Sequence, residues 1–103
     1  MLNWLRDKLG QTFEGRSGKW PKVRAEWLAE HNWCIGCGTK DSLEVHHCWP
    51  VSIRPELELV QSNFETMCPR CHLLIGHLGS WHSYNVNVRT DAAVWLQKIR
   101  ARP

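Results

Sequence analysis

Two Cys-x-x-Cys pairs constrain this chain more than anything else in it: Cys34-Ile-Gly-Cys37 and Cys68-Pro-Arg-Cys71. Two residues between thiolates let a turn wrap one tetrahedral Zn²⁺ while backbone N–H groups point at the sulfurs. Two such knuckles from distant parts of a chain close one Cys₄ site, and the segment between them, 38–67, has room for a hairpin. Chain length points the same way. At 103 residues the chain is expected to form a single domain. A domain of that size buries only about 60–65% of its unfolded surface, and small cores use a metal or disulfides as a staple. Where zinc is the staple, its binding free energy becomes folding free energy. Disulfides fit less well, because the total of 5 Cys is odd. The start of the chain also carries Arg6, Asp7 and Lys8 where a secretory signal must be apolar, so a reducing cytoplasm is the expected compartment. A redox role for the pairs would need a βαβ context that the pattern lacks. Cys48, the odd thiol, reads as a small buried residue.

The rest of the pattern is that of a small α+β domain. Leu2, Leu5 and Leu9 have helical spacing, and residues 1–19 read as a basic N-terminal arm with a short helix. Pro21 suits the first position of a helix over 21–31 that buries Val23, Trp27 and Leu28. Leu43-Glu-Val-His-His47 alternates like a strand, 48–62 is a loop with Pro50 and Pro55, and Asn63-Phe-Glu-Thr-Met67 is extended. Cys68 to His77 reads as the second knuckle running into a helix that Gly76 and Gly79 weaken. Residues 91–101 are expected to be a final helix with Asp91 as N-cap. Trp27, Trp33 and Trp95 are assigned to packing. No apolar run approaches the ~20 residues of a membrane span, so no membrane association is expected.

The formal net charge of +3 is mild, but its placement is uneven. Lysines and arginines gather in 1–24 and again near the end, around a slightly acidic centre at 41–65. That arrangement suits a polyanion gripped at its edges. Lys19, Lys22 and Arg24 are the candidates for phosphate contacts, and Trp20, set in the same basic stretch, is the candidate for stacking on a base.

His46 and His47 are adjacent, so on a strand they face opposite ways and can divide labour: one ligates a metal while the other serves as a general base. The order His46-His47, then Asn63, then His72, interlocked with the two cysteine pairs, is what no ordinary set of surface histidines would show. With Cys34-Ile-Gly-Cys-Gly38, Leu43-Glu-Val-His-His47, Asn63-Phe-Glu-Thr-Met-Cys68 and Cys71-His-Leu-Leu-Ile-Gly-His77, the chain resembles the HNH endonucleases, the zinc-stapled ββα-metal (His-Me finger) nucleases. The resemblance spans about residues 20–77.

That resemblance implies a ββα-metal core over 20–77 with a Cys₄ structural zinc at Cys34, Cys37, Cys68 and Cys71, flanked by the N-terminal arm and a C-terminal extension and helix over 78–103. It implies a metal-dependent DNA endonuclease, nicking or cutting both strands. His47 is implied as general base and Asn63 as the residue that holds the loop and orients the His47 ring. His46 and His72 are implied as ligands of one catalytic divalent ion (Mg²⁺, Mn²⁺, Ni²⁺ or Zn²⁺), with His77 matching a third ligand seen in some members. The ββα unit is implied to meet DNA through its backbone and minor groove. Arg70, next to the second knuckle, is a candidate for contact with the phosphate, with a solvent-exposed helix arginine as the equal alternative. Such small members work in phage packaging, restriction or mobile elements, and a protein partner can supply specificity. The competing reading is a non-catalytic zinc module that binds DNA or protein, which would need only the four cysteines. Trp81-His-Ser-Tyr-Asn85 has no assigned chemistry.

Overall fold

The computed structural model describes residues 17–103. The expected helix at 2–9 and most of the basic arm lie outside the described residues. Helix α1 (Trp20–Glu30) carries Pro21 in its first turn, where the missing N–H costs nothing. Strands β1 (Glu44–His47) and β2 (Phe64–Met67) pair antiparallel, with His46 opposite Glu65 and His47 opposite Phe64. Between them the chain makes two 3₁₀ turns, Pro55–Leu57 and Gln61–Asn63. A single helical turn, α2 (Pro69–Cys71), follows β2 and widens at once into a π-helical turn, His72–Gly76. Helix α3 (Val88–Arg100) closes the domain.

Opposite residues of an antiparallel pair share a face, so this register sorts the hairpin into two layers. Val45, His47, Phe64 and Thr66 face α1: the Trp20 ring lies 5.5 Å from Phe64, and the Trp27 indole N–H donates to Thr66 Oγ1 at 2.9 Å. Glu44, His46, Glu65 and Met67 face the π turn and α3; Arg89 of α3 pairs with Glu65 on that side. The adjacent histidines are thus separated onto opposite faces by strand alternation alone. The apolar core is small: Met67 and Val88 pack with Cys34, Cys68 and Cys71, bordered by Ile35, Leu43, Cys48 and Ile75. So few buried side chains give a metal staple real weight.

Several expectations need correction. The last helix begins at Val88 with Asn87 as its N-cap, not at Asp91. Asn85, 5% exposed, takes the Asn87 N–H on its side-chain oxygen and donates to Asp91 Oδ2 at 2.8 Å, so the turn at 85–87 starts the helix one turn early. The segment after Cys71 is not an ordinary helix: the His77 N–H reaches back five residues to the His72 carbonyl. Trp33 and Trp95 are not core residues, at 41% and 44% exposed. Trp33 lies under the Arg100 guanidinium at 5.8 Å, and Trp95 lines an open groove. Among the described residues no helix is long and apolar enough to cross a membrane.

Candidate active site

The hairpin carries a cysteine knuckle at each flank. The first is docked on β2 by the Ile35 N–H to the Thr66 carbonyl at 3.0 Å; the second is the turn that follows β2. Their four sulfurs all lie within 4.8 Å of one another. The Gly36 N–H donates to Cys34 Sγ at 3.3 Å and the Cys71 N–H to Cys68 Sγ at 3.5 Å, an arrangement that favours thiolates. A Cβ at Gly36 would stand 3.0 Å from Cys71 Sγ, so a side chain there would crowd the first knuckle against the second. Burial raises the Cys34 thiol, but backbone N–H donors outweigh it and hold Cys34 below the ordinary range. Burial, and then the charge on Cys34, push Cys71 well up. Four thiolates this close repel unless a cation sits among them, and the donor set fits tetrahedral zinc.

A second cluster is built by β1, the π turn and the residue that ends it. His46, His72 and His77 each offer a ring nitrogen within 4.8 Å of the others. His46 is fully buried, and neither of its nitrogens has a hydrogen-bond partner among the described residues. Burial, then the neighbouring His72, His77 and His47, push its pKa down to about 3. A buried imidazole left without partners carries an unrepaid desolvation cost, and a cation would repay it. The other two rings are aimed through Nδ1: that of His72 lies 2.8 Å from Glu44 Oε1, and that of His77 donates to the Ser83 carbonyl at 2.7 Å. With Nδ1 protonated, the Nε2 atoms become lone-pair donors, and they stand only 3.3 Å apart. Burial lowers the His72 pKa, against the opposing pull of Glu44. Neutral imidazole is the metal-binding form, so all three rings suit a divalent ion. Gly76 makes the packing possible, since a Cβ there would lie 3.0 Å from the His46 ring.

His47 faces the other way, with its ring 4.6 Å from that of Trp20 and 5.3 Å from that of Phe64. Its Nε2 donates to the Glu58 carbonyl at 2.9 Å, which leaves Nδ1 as the basic nitrogen. Asn63, 4% exposed, touches the loop rather than the His47 ring. Its Oδ1 accepts from the Trp49 N–H at 2.8 Å, and its Nδ2 donates to the carbonyls of Trp49 at 3.0 Å and Leu57 at 3.4 Å. Any effect of Asn63 on His47 therefore passes through the loop that ends in the Glu58 carbonyl. His47, His72 and His77 share a cleft of about 420 Å³, whose lining also includes Pro50, Ser52 and Trp81.

The proposed DNA contacts scatter. Lys19 and Lys22 are exposed at the start of α1, one residue before and two after Trp20. Arg24 is half-buried and donates to the Leu43 carbonyl at 3.4 Å, a fold contact. The Trp20 ring is spent on His47 and Phe64 rather than presented to a base. Arg70 borders a groove with Cys37 and Trp95, away from the histidine cleft, because the turn after Cys68 points it there. The sequence reading missed Glu44, Ser83 and Trp81. Glu44 was within reach, because it sits two residues before His46 and so on the same strand face. Ser83 acts through its backbone carbonyl, which has no sequence signature.

Comparison with known proteins agrees with this geometry. No similar curated protein and no similar solved structure was found. The family model described as HNH endonuclease matches residues 34–77. That span runs from the first cysteine of the first knuckle to the last histidine of the cluster, and takes in both strands and the π turn. Residues 34–77 of this chain therefore match the HNH endonuclease family model, on a small α+β, ββα-metal core around two clusters able to bind metal.

Proposed function

We propose that the chain is a metal-dependent DNA endonuclease in which His47 is the general base and His46, His72 and His77 hold one divalent ion. The observation that carries this reading is the shared cleft: a tautomer-defined imidazole, His47, and two members of the three-histidine cluster, His72 and His77, line the same space, with buried His46 behind them. The four cysteines hold a structural zinc, which has no open position and so takes no part in chemistry.

Phosphodiester hydrolysis needs a nucleophile, neutralisation of charge on the phosphate, and stabilisation of the leaving 3′-oxygen. The bound divalent ion supplies Lewis-acid stabilisation of that charge. His47 Nδ1 takes the proton of the attacking water as the water oxygen bonds to phosphorus and the P–O3′ bond breaks. The Glu58 carbonyl keeps the His47 ring turned so that Nδ1 does this work. Asn63 holds both ends of the loop that carries that carbonyl. Glu44 and the Ser83 carbonyl aim His72 and His77. Lys19 and Lys22 contact the DNA backbone beside the cleft. A domain this small reads backbone and groove shape more than bases, so a protein partner would supply sequence specificity.

Supercoiled plasmid incubated with pure protein and a divalent ion should be nicked or linearised. His47→Ala should slow this about 10²–10⁴-fold, the range for loss of a general base, while leaving the fold intact. Absence of cutting with every ion tried, or cutting indifferent to His47→Ala, would overturn the reading.

A further inference from the structure

Trp81 lines the cleft but takes no part in the hydrolysis proposed for it. It is a large aromatic side chain, yet 58% of it is exposed. Its exposure is not an accident of a loose loop tip, because the ring is fixed against the metal cluster: it lies 5.2 Å from the His72 ring and 4.9 Å from the His77 ring. Among the described residues lining the cleft none is acidic, and Trp81 is the only one with an aromatic ring other than an imidazole. An indole held at the reacting centre with its remaining surface open is a platform for a flat, electron-rich ligand.

Resting on the nuclease reading, we propose that Trp81 stacks on the base of a nucleotide next to the scissile phosphate, so that the preferred substrate is DNA with an unpaired nucleotide at the cut site. Paired bases in a duplex offer only their edges to the grooves. A base face becomes available only where the strand is single, bulged or flipped out. The cleft's volume of about 420 Å³ lies in the range of small-ligand pockets and suits one nucleotide, not a duplex. Trp81 would be a positioning and specificity residue: it touches the base, not the reacting atoms.

The test uses the full chain with both metal clusters loaded and three end-labelled DNAs of one sequence: a perfect duplex, the same duplex with one unpaired nucleotide, and the single strand. Binding is read by fluorescence anisotropy with the His47→Ala variant, and cleavage with the otherwise native chain. The two DNAs with an unpaired nucleotide should bind about 5- to 100-fold tighter than the perfect duplex, the range for one base–aromatic stack. Trp81→Ala should erase that preference and raise KM more than it lowers kcat, and Trp81→Phe should restore part of it. Ion affinity is measured on each variant, so that a disturbed metal cluster is recognised: loss of preference in Trp81→Ala together with loss of the ion, and no rescue by Trp81→Phe, would overturn stacking in favour of simple packing. Equal binding of all three DNAs, or equal weakening of all three in Trp81→Ala, as expected for a wedge in the minor groove, would also overturn it. A preference erased by Trp81→Ala in a protein that cuts nothing would uphold the stacking site while the nuclease reading fell.

Discussion

Glu44 Oε1 stands 2.8 Å from His72 Nδ1, a link across the fold between the first residue of β1 and the first residue of the π turn. The carboxylate accepts the ring proton and turns Nε2 toward His46 and His77. A hydrogen-bonded carboxylate behind a histidine ligand fixes its tautomer and raises its basicity, and its loss costs about 10- to 100-fold in metal affinity. Glu44→Ala should weaken ion binding at the histidine cluster by that factor in a calorimetric titration. Its melting temperature should change little, because the carboxylate side chain is 40% exposed. Unchanged ion affinity would remove Glu44 from the site.

Gly76 tests the cluster from the opposite side. A methyl group there would sit 3.0 Å from the His46 ring, which is fully buried. Overpacking of this kind costs about 1–3 kcal/mol. Gly76→Ala should lower stability by that amount in denaturant unfolding and weaken ion binding with it. A variant as stable as the parent would show that the π turn can shift to make room.

On the proposed reading, three imidazoles set the choice of ion, the cluster having no carboxylate member among the described residues. Nitrogen donors favour Ni²⁺, Co²⁺ and Zn²⁺ over Mg²⁺, and affinity rises from Mn²⁺ to Ni²⁺. Plasmid cutting should therefore reach half its maximal rate at far lower Ni²⁺ or Co²⁺ than Mg²⁺. Equal potency of Mg²⁺ would argue that fewer than three of the rings bind the ion.

The cysteine cluster should behave as a folding site. Purified protein should contain about one tightly held zinc per chain that survives dialysis against a weak chelator. Cys34→Ser, or a strong chelator, should abolish cooperative thermal unfolding, because metal binding supplies folding free energy. His46→Ala, by contrast, should keep that zinc while losing the weaker ion. Metal analysis by atomic absorption on the two variants separates the clusters.

Asn63 should link stability to activity. Replacing it with Ala leaves the Trp49 N–H and the Trp49 and Leu57 carbonyls without their side-chain partner. A fully buried polar group so orphaned costs about 1–3 kcal/mol, and these part-buried groups cost less each. Asn63→Ala should lower the denaturation midpoint and also kcat, with ion affinity unchanged, because the loop holding the Glu58 carbonyl loosens while the histidine cluster stands on other elements. A drop in stability with full activity would free the His47 ring from dependence on the loop.

The two cysteine pairs, the strand bearing His46 and His47, and the division of that pair onto two faces were all legible in the chain, because each follows from local rules. Turn geometry sets the Cys-x-x-Cys spacing, and period-two alternation sends adjacent strand residues apart. His77 as a partner of His46 and His72 was suggested only by resemblance. Its position depends on a π turn that adds one residue to the helical repeat and turns His77 back over His72. The partners of Asn63, the Glu58 carbonyl behind His47, and the removal of Arg70 and the Trp20 ring from the DNA-facing set were decided by tertiary packing. Backbone carbonyls carry no sequence mark, and whether an aromatic ring meets solvent or a neighbour depends on which element folds over it. The chain's local chemistry thus named the metal-binding residue types, and the three-dimensional fold chose which of them share a cleft, and with what.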